Sequence, residues 1–527
     1  MKFFLCFLTL QITCAFYSIA QQQEFLKGQI FDSKTQLPVP FATVTSSDKD
    51  FGVITNENGS FIMPKSSVDA NLPIIIRCVG YEHKAIKISD FNPSGVTVFH
   101  INPKEYLIDE VKVSGKRLES KSPHEIVSLA VNSIEKNYPR DPFLLSGYYR
   151  DYLKLNTNYL NLFEAIVEVE DKGFGTNEID DTKIRLTYGD FNKSFMLDFT
   201  KVIDYGKNKL IPFGNTRYTG GNEFFFLLQH NPIRNYKEKS FDFIKYIQSD
   251  FLIDHKFKNA GIEYIDDTPC YKIEFIYKKP GSDDFNWGNA KRVSVEETSR
   301  INYKAKGNIY IQAETYKIFR LVYQVYYDGK SNAVKLWELN LEYRDQNGLP
   351  YLNYISFNNL VEIPEWDDKR YFYHRSTEVD KQNKTLNLIF NNNVNPVSIS
   401  NFKNYRLEYD GNRLKIDNIT FADSCVSLSI RDFDELFGSF EMRYTGRLKV
   451  KVKNIEDCYG NKLNDVKSIS AYQYREFFVN DVKKDFQSIN PNQCIDQVRS
   501  MIHYIKKNGE IPNGAYFNSP LIGTNNM

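Results

Sequence analysis

The apolar positions of this chain fall first into short runs, at residues 26–31, 42–45, 60–63, 72–77 and 96–101, cut by turn residues at close intervals. That spacing predicts a small, seven-strand-type β-sandwich over residues 26–115. A charged linker at 116–121 follows, and then the pattern changes. Ser122-Pro123-His124-Glu125 predicts a helix start: Ser122 can cap, Pro123 suits the first helical position and Glu125 completes a capping box. Ile126, Ala130 and Ile134 share one stripe with Val127 and Val131 beside it, and Asn137 and Pro139 stop the helix.

From Phe143 to Pro364 the pattern is that of antiparallel strands. Phe163, Ala165, Val167 and Val169 point one way while Glu164, Glu168 and Glu170 point the other, which predicts a strand with one solvated face. Residues 307–312 and 316–327 flank Ala313-Glu314-Thr315 as a hairpin. Runs at 271–277, 336–343 and 351–357 add strands, the last two joined by the turn Asp345-Gln346-Asn347-Gly348. The stretch 192–254 is less regular, with a short helix expected at 241–248. Residues 122–364 are therefore expected to form one large, twisted antiparallel sheet with a leading helix, its sheet free to curl around an interior.

Pro364-Glu365-Trp366-Asp367-Asp368 marks a boundary, and runs at 384–390, 405–407, 424–428 and 448–452 predict a further β-sandwich over 380–471. The remainder, 477–527, is expected to be a tail with one helix at 495–506. The fold class is mainly β.

Three stretches resemble known families. Leu26-Lys27-Gly28-Gln29-Ile30, the Pro38/Pro40 turn, Phe41-Ala42-Thr43-Val44, Thr55-Asn56-Glu57-Asn58-Gly59-Ser60-Phe61 and Val79-Gly80-Tyr81 resemble the carboxypeptidase-regulatory-like (transthyretin-like) module of exported proteins of the Bacteroidetes type. Leu107-Ile108-Asp109-Glu110-Val111-Lys112-Val113-Ser114-Gly115 resembles the connector that leads from such modules into the plug of TonB-dependent outer-membrane receptors, and that also ends them where no plug follows. The segment 380–471, with Asn391-Asn392-Asn393-Val394-Asn395-Pro396 and Asp457-Cys458-Tyr459-Gly460-Asn461-Lys462-Leu463, resembles the bacterial Ig-like domain of S-layer and surface proteins.

Composition sharpens the compartment more than the chemistry. Residues 1–20 read as a secretory signal: Lys2 is positive, residues 3–10 are apolar, and Ser18-Ile19-Ala20 forms a small-residue cleavage site. The protein is expected in the periplasm, the outer membrane or on the cell surface. Lys+Arg of 67 against Asp+Glu of 66 gives no global pull towards nucleic acid or an anionic membrane. With 35 Tyr and 40 Phe the aromatic content suits pleated, half-buried surfaces. Beyond the signal, Cys78, Cys270, Cys425, Cys458 and Cys494 are too sparse for a disulfide framework. Cys425 and Cys458 share one domain, which leaves their pairing open.

A search for chemistry ends without a site. His83, His100, His124, His230, His255, His374 and His503 form no His-x-x-Glu or His-Glu-x-x-His pattern, so no local zinc motif supports the peptidase suggested by the module's name. The module, an accessory in such enzymes, carries over no catalytic residue; a zinc site built from distant residues stays open. Ser46-Ser47-Asp48-Lys49 matches Ser-x-x-Lys but lacks the partner motifs of penicillin-recognising enzymes and reads as a turn. The acid pairs Asp180-Asp181, Asp266-Asp267, Asp283-Asp284 and Asp367-Asp368 read as solvated turns, lacking calcium-loop spacing. Trp287, Trp337 and Trp366 suit either a core or a glycan platform. No nucleophile elbow, phosphate loop or dinucleotide fingerprint occurs.

The expectation is a non-catalytic envelope protein without cofactor or metal, acting as a scaffold or binding component for a protein or glycan, with peripheral or outer-membrane association. An outer-membrane transport component, TonB-linked or a lipid-holding half-barrel, is the alternative. An unrecognised peptide- or glycan-acting enzyme is the second.

Overall fold

The computed structural model describes residues 24–48, 52–104, 121–155, 158–176, 181–195, 211–212, 222–238, 240, 244–265, 268–278, 303–328, 333–364, 372–437, 448–464, 468–497, 499, 501–505 and 516–521. The expected signal at 1–20 and the connector at 107–115 lie outside them. The chain divides into two compact units, one holding 1–208, 212–361 and 471–527, the other 209–211 and 362–470. No helix among the described residues is long and apolar enough to cross a membrane.

The first unit opens with β1 (Phe25–Asp32), β2 (Thr43–Ser46), β3 (Val53–Ile54), β4 (Ser60–Pro64), β5 (Ile74–Arg77), β6 (Lys84–Ile86) and β7 (Thr97–Ile101). They form two sheets, β4-β1-β7 and β3-β2-β5-β6, with β1 antiparallel to β4 and parallel to β7. Ile30, Val44, Phe61, Ile74 and Ile101 meet between them as the core of the expected sandwich. Two glycines make its tight turns. Gly59 has φ +75°, and a Cβ there would meet the Ile30 carbonyl oxygen at 2.4 Å, whereas Gly80, at φ +84°, faces open space. Gly59→Val is therefore expected to lower stability by roughly 1–3 kcal/mol, the range for strain at a special backbone position. Gly80→Val is expected to cost less, and urea midpoints of the two variants that fall equally would refute the ranking.

Next come α1 (Pro123–Asn132), α2 (Ile134–Asn137), β8 (Phe143–Leu155), β9 (Asn158–Asp171), β10 (Lys183–Phe191), β11 (Ile211–Pro212), α3 (Glu223–Gln229), α4 (Asp250–Asp254), β12 (His255–Ile265), β13 (Thr268–Tyr277), β14 (Tyr303–Gln312), β15 (Ile318–Asp328), β16 (Ala333–Gln346) and β17 (Leu349–Pro364). The predicted capping box is present: Glu125 N donates to Ser122 Oγ at 3.2 Å and Ser122 N donates to Glu125 Oε2 at 2.7 Å. Ile126, Val127, Ala130, Val131 and Ile134 are all buried, so the helix packs through the predicted stripe. The β14–β15 hairpin and the turn at Asn347 (φ +54°) and Gly348 (φ +84°) between β16 and β17 also stand where the pattern put them.

The second unit contains β18 (His374–Asp380), β19 (Thr385–Phe390), α5 (Pro396–Ile399), β20 (Tyr405–Tyr409), β21 (Asn412–Arg413), β22 (Ile416–Ala422), β23 (Cys425–Ile430), α6 (Phe433–Phe437) and β24 (Leu448–Val452). Its sheets run β18-β19-β23-β22 and β21-β20-β24, around a core that includes Leu386, Leu388, Tyr405, Val426 and Leu428. At its end Asp457 accepts from the amides of Tyr459 and Asn461 at 2.9 and 2.8 Å, which closes the late Asp-x-x-Gly-Asn turn. Cys425 and Cys458 are free thiols.

One strand overturns an expectation. β25 (Ser468–Lys483) belongs to no tail; it returns to the first unit and lies between β8 and β17, in the order β10-β9-β8-β25-β17-β16-β15-β14-β13-β12. Its pattern is hard to read because Gln473, Arg475 and Glu476 are polar yet fully buried. Beyond it the described residues hold only 3-10 turns, at Pro491–Gln493 and Met501–Tyr504, in place of the helix expected at 495–506. The helix expected at 241–248 is likewise displaced: α4 forms at Asp250–Asp254, where Phe251 and Leu252 reach the core.

Candidate functional site

The middle strands of the large sheet, β8, β25 and β17, are covered on both faces, and they carry charge on each side. Towards the helices, Phe224, Phe225, Leu227 and Leu228 of α3 pack with Val167, Leu339, Ile355 and Phe477 of the sheet. A row of rings crosses this face: Tyr323 stacks on Trp337 at 5.6 Å, Trp337 on Phe357 at 5.5 Å, and His230 meets Phe357 edge-on at 5.0 Å. Trp337 is thus a core residue, 5% exposed, and not a glycan platform. Trp287 and Trp366 lie outside the described residues.

Within this apolar layer sits Arg475. Its Nε donates to Glu223 at the start of α3 at 2.6 Å, Nη1 to Asn359 at 2.7 Å and Nη2 to Gln473 at 2.6 Å, with Gln473 donating on to Asp151 at 3.2 Å. A second pair, Arg234 with Asp171 at 2.8 Å, borders a cavity of about 30 Å³ walled by Leu145, Val169, Leu228 and Leu352. That volume is on the scale of one water molecule. Around this pair the inner face is filled by the protein's own side chains.

The outer face overturns the solvated-strand expectation. Glu164 and Glu170 are each 2% exposed. Glu164 accepts from Tyr148 at 2.5 Å, Asn192 at 2.8 Å and Ser519 at 2.6 Å. Glu170 accepts from the amide of Ile489 at 2.7 Å and from Ser488 and Lys183, which hold its carboxyl below the usual carboxylate range against burial. Beside them the module docks. Arg150 of β8, fully buried, pairs with Glu476 of β25 and donates to Asn56 of the module, while Phe478 lies 4.9 Å beneath its guanidinium. Tyr354 donates to Glu476 at 3.1 Å, and Lys154 reaches Glu57 at 2.7 Å. Ile54 and Phe41 of the module pack with Tyr148, Tyr354 and Phe478 as a small apolar layer.

The histidines do not converge. His100 meets Gln36 at 3.1 Å, His374 meets Thr377 at 3.0 Å, and His124 lies by Phe257, while His83 and His503 stand in other elements. His255 lies in a cage of Phe251, Phe257, Phe275, Tyr277 and Tyr323. Its Nδ1 bonds the Phe251 carbonyl at 2.9 Å and so carries the proton; Nε2 then accepts from the Tyr323 hydroxyl at 2.7 Å. Burial brings His255 down to about 4, and burial with nearby Arg475 brings His230 down to about 3. Both imidazoles are held neutral, His255 buried and His230 half-buried. Among the described residues no three His, Cys, Asp or Glu side chains could hold a metal ion.

Ser46 ends β2 as a buried residue, and Lys49 lies outside the described residues. Of the acid pairs only Asp181 is within them. The second unit has an open cleft of about 460 Å³, whose cations are already matched: Lys384 with Asp434, and Arg431 with Asp417 at 2.6 Å. Sequence reasoning missed the buried charges. Their one signal is Arg150, Arg475 and Glu476 standing inside aromatic runs.

With this geometry in view, the first stretch can be compared with known proteins. Residues 26–113 match the family model of the CarboxypepD_reg-like domain. That match covers the sandwich and the segment after it, and supports the resemblance read from its motifs. No curated protein matches the chain. Among solved structures, a DUF1329 family protein from Desulfovibrio piger is 9% identical, over 45% of this chain and 87% of its own, at a TM-score of 0.18. A LolA superfamily protein from Nitrosomonas europaea is 12% identical, over 46% and 86%, also at 0.18. Those scores are too low to bear on the architecture.

Proposed function

We propose that this protein is a non-catalytic component of the cell envelope, a scaffold that binds a protein or glycan partner through its edges and loops. The observation that carries this reading is the covering of the middle strands of the large sheet, β8, β25 and β17, on both faces. Helices and rings occupy one side, the CarboxypepD_reg-like domain the other, and the inner space left at Arg234 is about 30 Å³. A carrier working through its interior needs a pocket roughly ten times larger. With these middle strands used up, strand edges, loops and the exposed side of β12 and β13 are what a partner can reach. The second unit, read as a bacterial Ig-like domain, adds another such surface. The Bacteroidetes-type origin and the secretory signal belong to the same reading.

A lipid-holding half-barrel is the second reading, favoured by the apolar wall of Leu145, Val169, Leu228 and Leu352 under α3. Two measurements on protein from isolated envelopes separate them. The scaffold reading expects release by carbonate and no bound lipid in a solvent extract examined by mass spectrometry. Lipid at one molecule per chain overturns it in favour of the half-barrel, and resistance to carbonate overturns it in favour of an integral protein.

A further inference from the structure

Residues 516–521 belong to none of the three sheets of the first unit, yet they lie in the seam between the sandwich and the large sheet. Four successive side chains there make four different contacts. Tyr516 packs against the core of the sandwich. Phe517 lies between Tyr148 and Tyr188, with ring centroids at 5.8 and 5.6 Å. Asn518, 3% exposed, donates from Nδ2 to the Ile54 carbonyl at 2.7 Å and accepts at Oδ1 from the Ile62 amide at 2.8 Å. Ser519 donates to Glu164 at 2.6 Å.

The Asn518 contacts are the selective ones. Ile54 is in β3 and Ile62 in β4, strands of the two different sheets of the sandwich, so one amide group joins both. That requires a donor and an acceptor on the same short side chain, a pair that asparagine carries and aspartate or leucine does not. The Asn518 carbonyl also accepts from Arg150 Nη1 at 3.3 Å, so the buried cation of the sheet holds the segment's backbone. Arg150 Nη2 remains a buried donor with no hydrogen-bond partner among the described residues. Side chains and backbone groups of the seam thus contact this segment residue by residue, as peptide-binding grooves do.

We propose that this seam is a sequence-specific peptide-recognition groove, and that Tyr516-Phe517-Asn518-Ser519 is its ligand, held in cis. The ligand class is a peptide of pattern aromatic-aromatic-Asn-Ser. Occupancy fastens the sandwich to the sheet, because the segment bonds both. The inference stands on these contacts alone and is independent of the envelope reading.

A protease site placed between residues 506 and 515 of the full chain tests it, because the protein folds intact before it is cut. The cut segment is expected to stay with the protein through gel filtration and to exchange with a labelled synthetic peptide spanning residues 514–522. The same peptide carrying Asn518→Asp is expected to bind at least ten-fold more weakly, the loss of about 1.4 kcal/mol or more. In the uncut chain, Asn518→Ala is expected to raise hydrogen exchange at the Ile62 amide, which donates to Asn518. Loss of the segment during filtration, or equal binding of both peptides, overturns the proposal.

Discussion

Replacing Arg150 with alanine lowers the stability of the first unit by about 3–5 kcal/mol, the expected cost of removing one partner from a buried ion pair. Glu476 would then be left as a carboxylate without its cation, 1% exposed, with Tyr354 still donating to it. Arg150 also ties Asn56 and Asn518 to the sheet, so its loss loosens the sandwich as well as the strand pair. Joint replacement, Arg150→Met with Glu476→Leu, removes both charges and is expected to cost less than the single change, since no charge is stranded. Urea unfolding of the full chain reads both effects. A single-variant cost below about 1 kcal/mol, the range for exposed pairs, would show that water reaches the site.

Acid is expected to destabilise this protein through two imidazoles held neutral in the fold, buried His255 and half-buried His230. His255 stands at about 4 in the folded state against 6.5 for the free side chain, because burial disfavours its charged form. An unfolded chain therefore takes up a proton below pH 6.5 that the folded chain refuses until pH falls to about 4. The stability held by neutral His255 is complete above 6.5, falls as pH drops from 6.5 to 4, and levels off below that. Between about pH 7.5 and pH 4.5 the loss from His255 is on the order of 2–3 kcal/mol. His230, down at about 3, adds to the same limb. In His255→Gln the fall between these two pH values should shrink by that amount. An unchanged slope would falsify the assignment.

Local chemistry made much of the architecture legible. Ser122, Pro123 and Glu125 determine their helix start without help from the rest of the chain, and so do Asn347 and Gly348 their turn. Strand 163–170 shows where local reading fails. Its alternation is right, since Phe163, Ala165, Val167 and Val169 do face the core. The inference from glutamate to solvent is wrong, because Ser519, Ser488 and Ile489, more than 300 residues away, supply the bonds that let Glu164 and Glu170 be buried. β25 was hidden for the same reason. Gln473, Arg475 and Glu476 break the apolar pattern, and what makes them tolerable inside lies on β8, α3 and β17. The chemistry-bearing residues of the surface gave no site in the sequence, and in the fold they remain apart.

The position of β25 has a consequence for synthesis. Strands β8 and β17 are made early, yet their shared neighbour emerges only after the whole second unit, residues 362–470, has been completed. Until then Arg150 lacks Glu476 and Glu223 lacks Arg475, and two strand edges stand open to the wrong partner. A nascent chain halted before residue 468 therefore holds a sheet in two pieces. The later unit, whose core is its own, can fold while the earlier one waits.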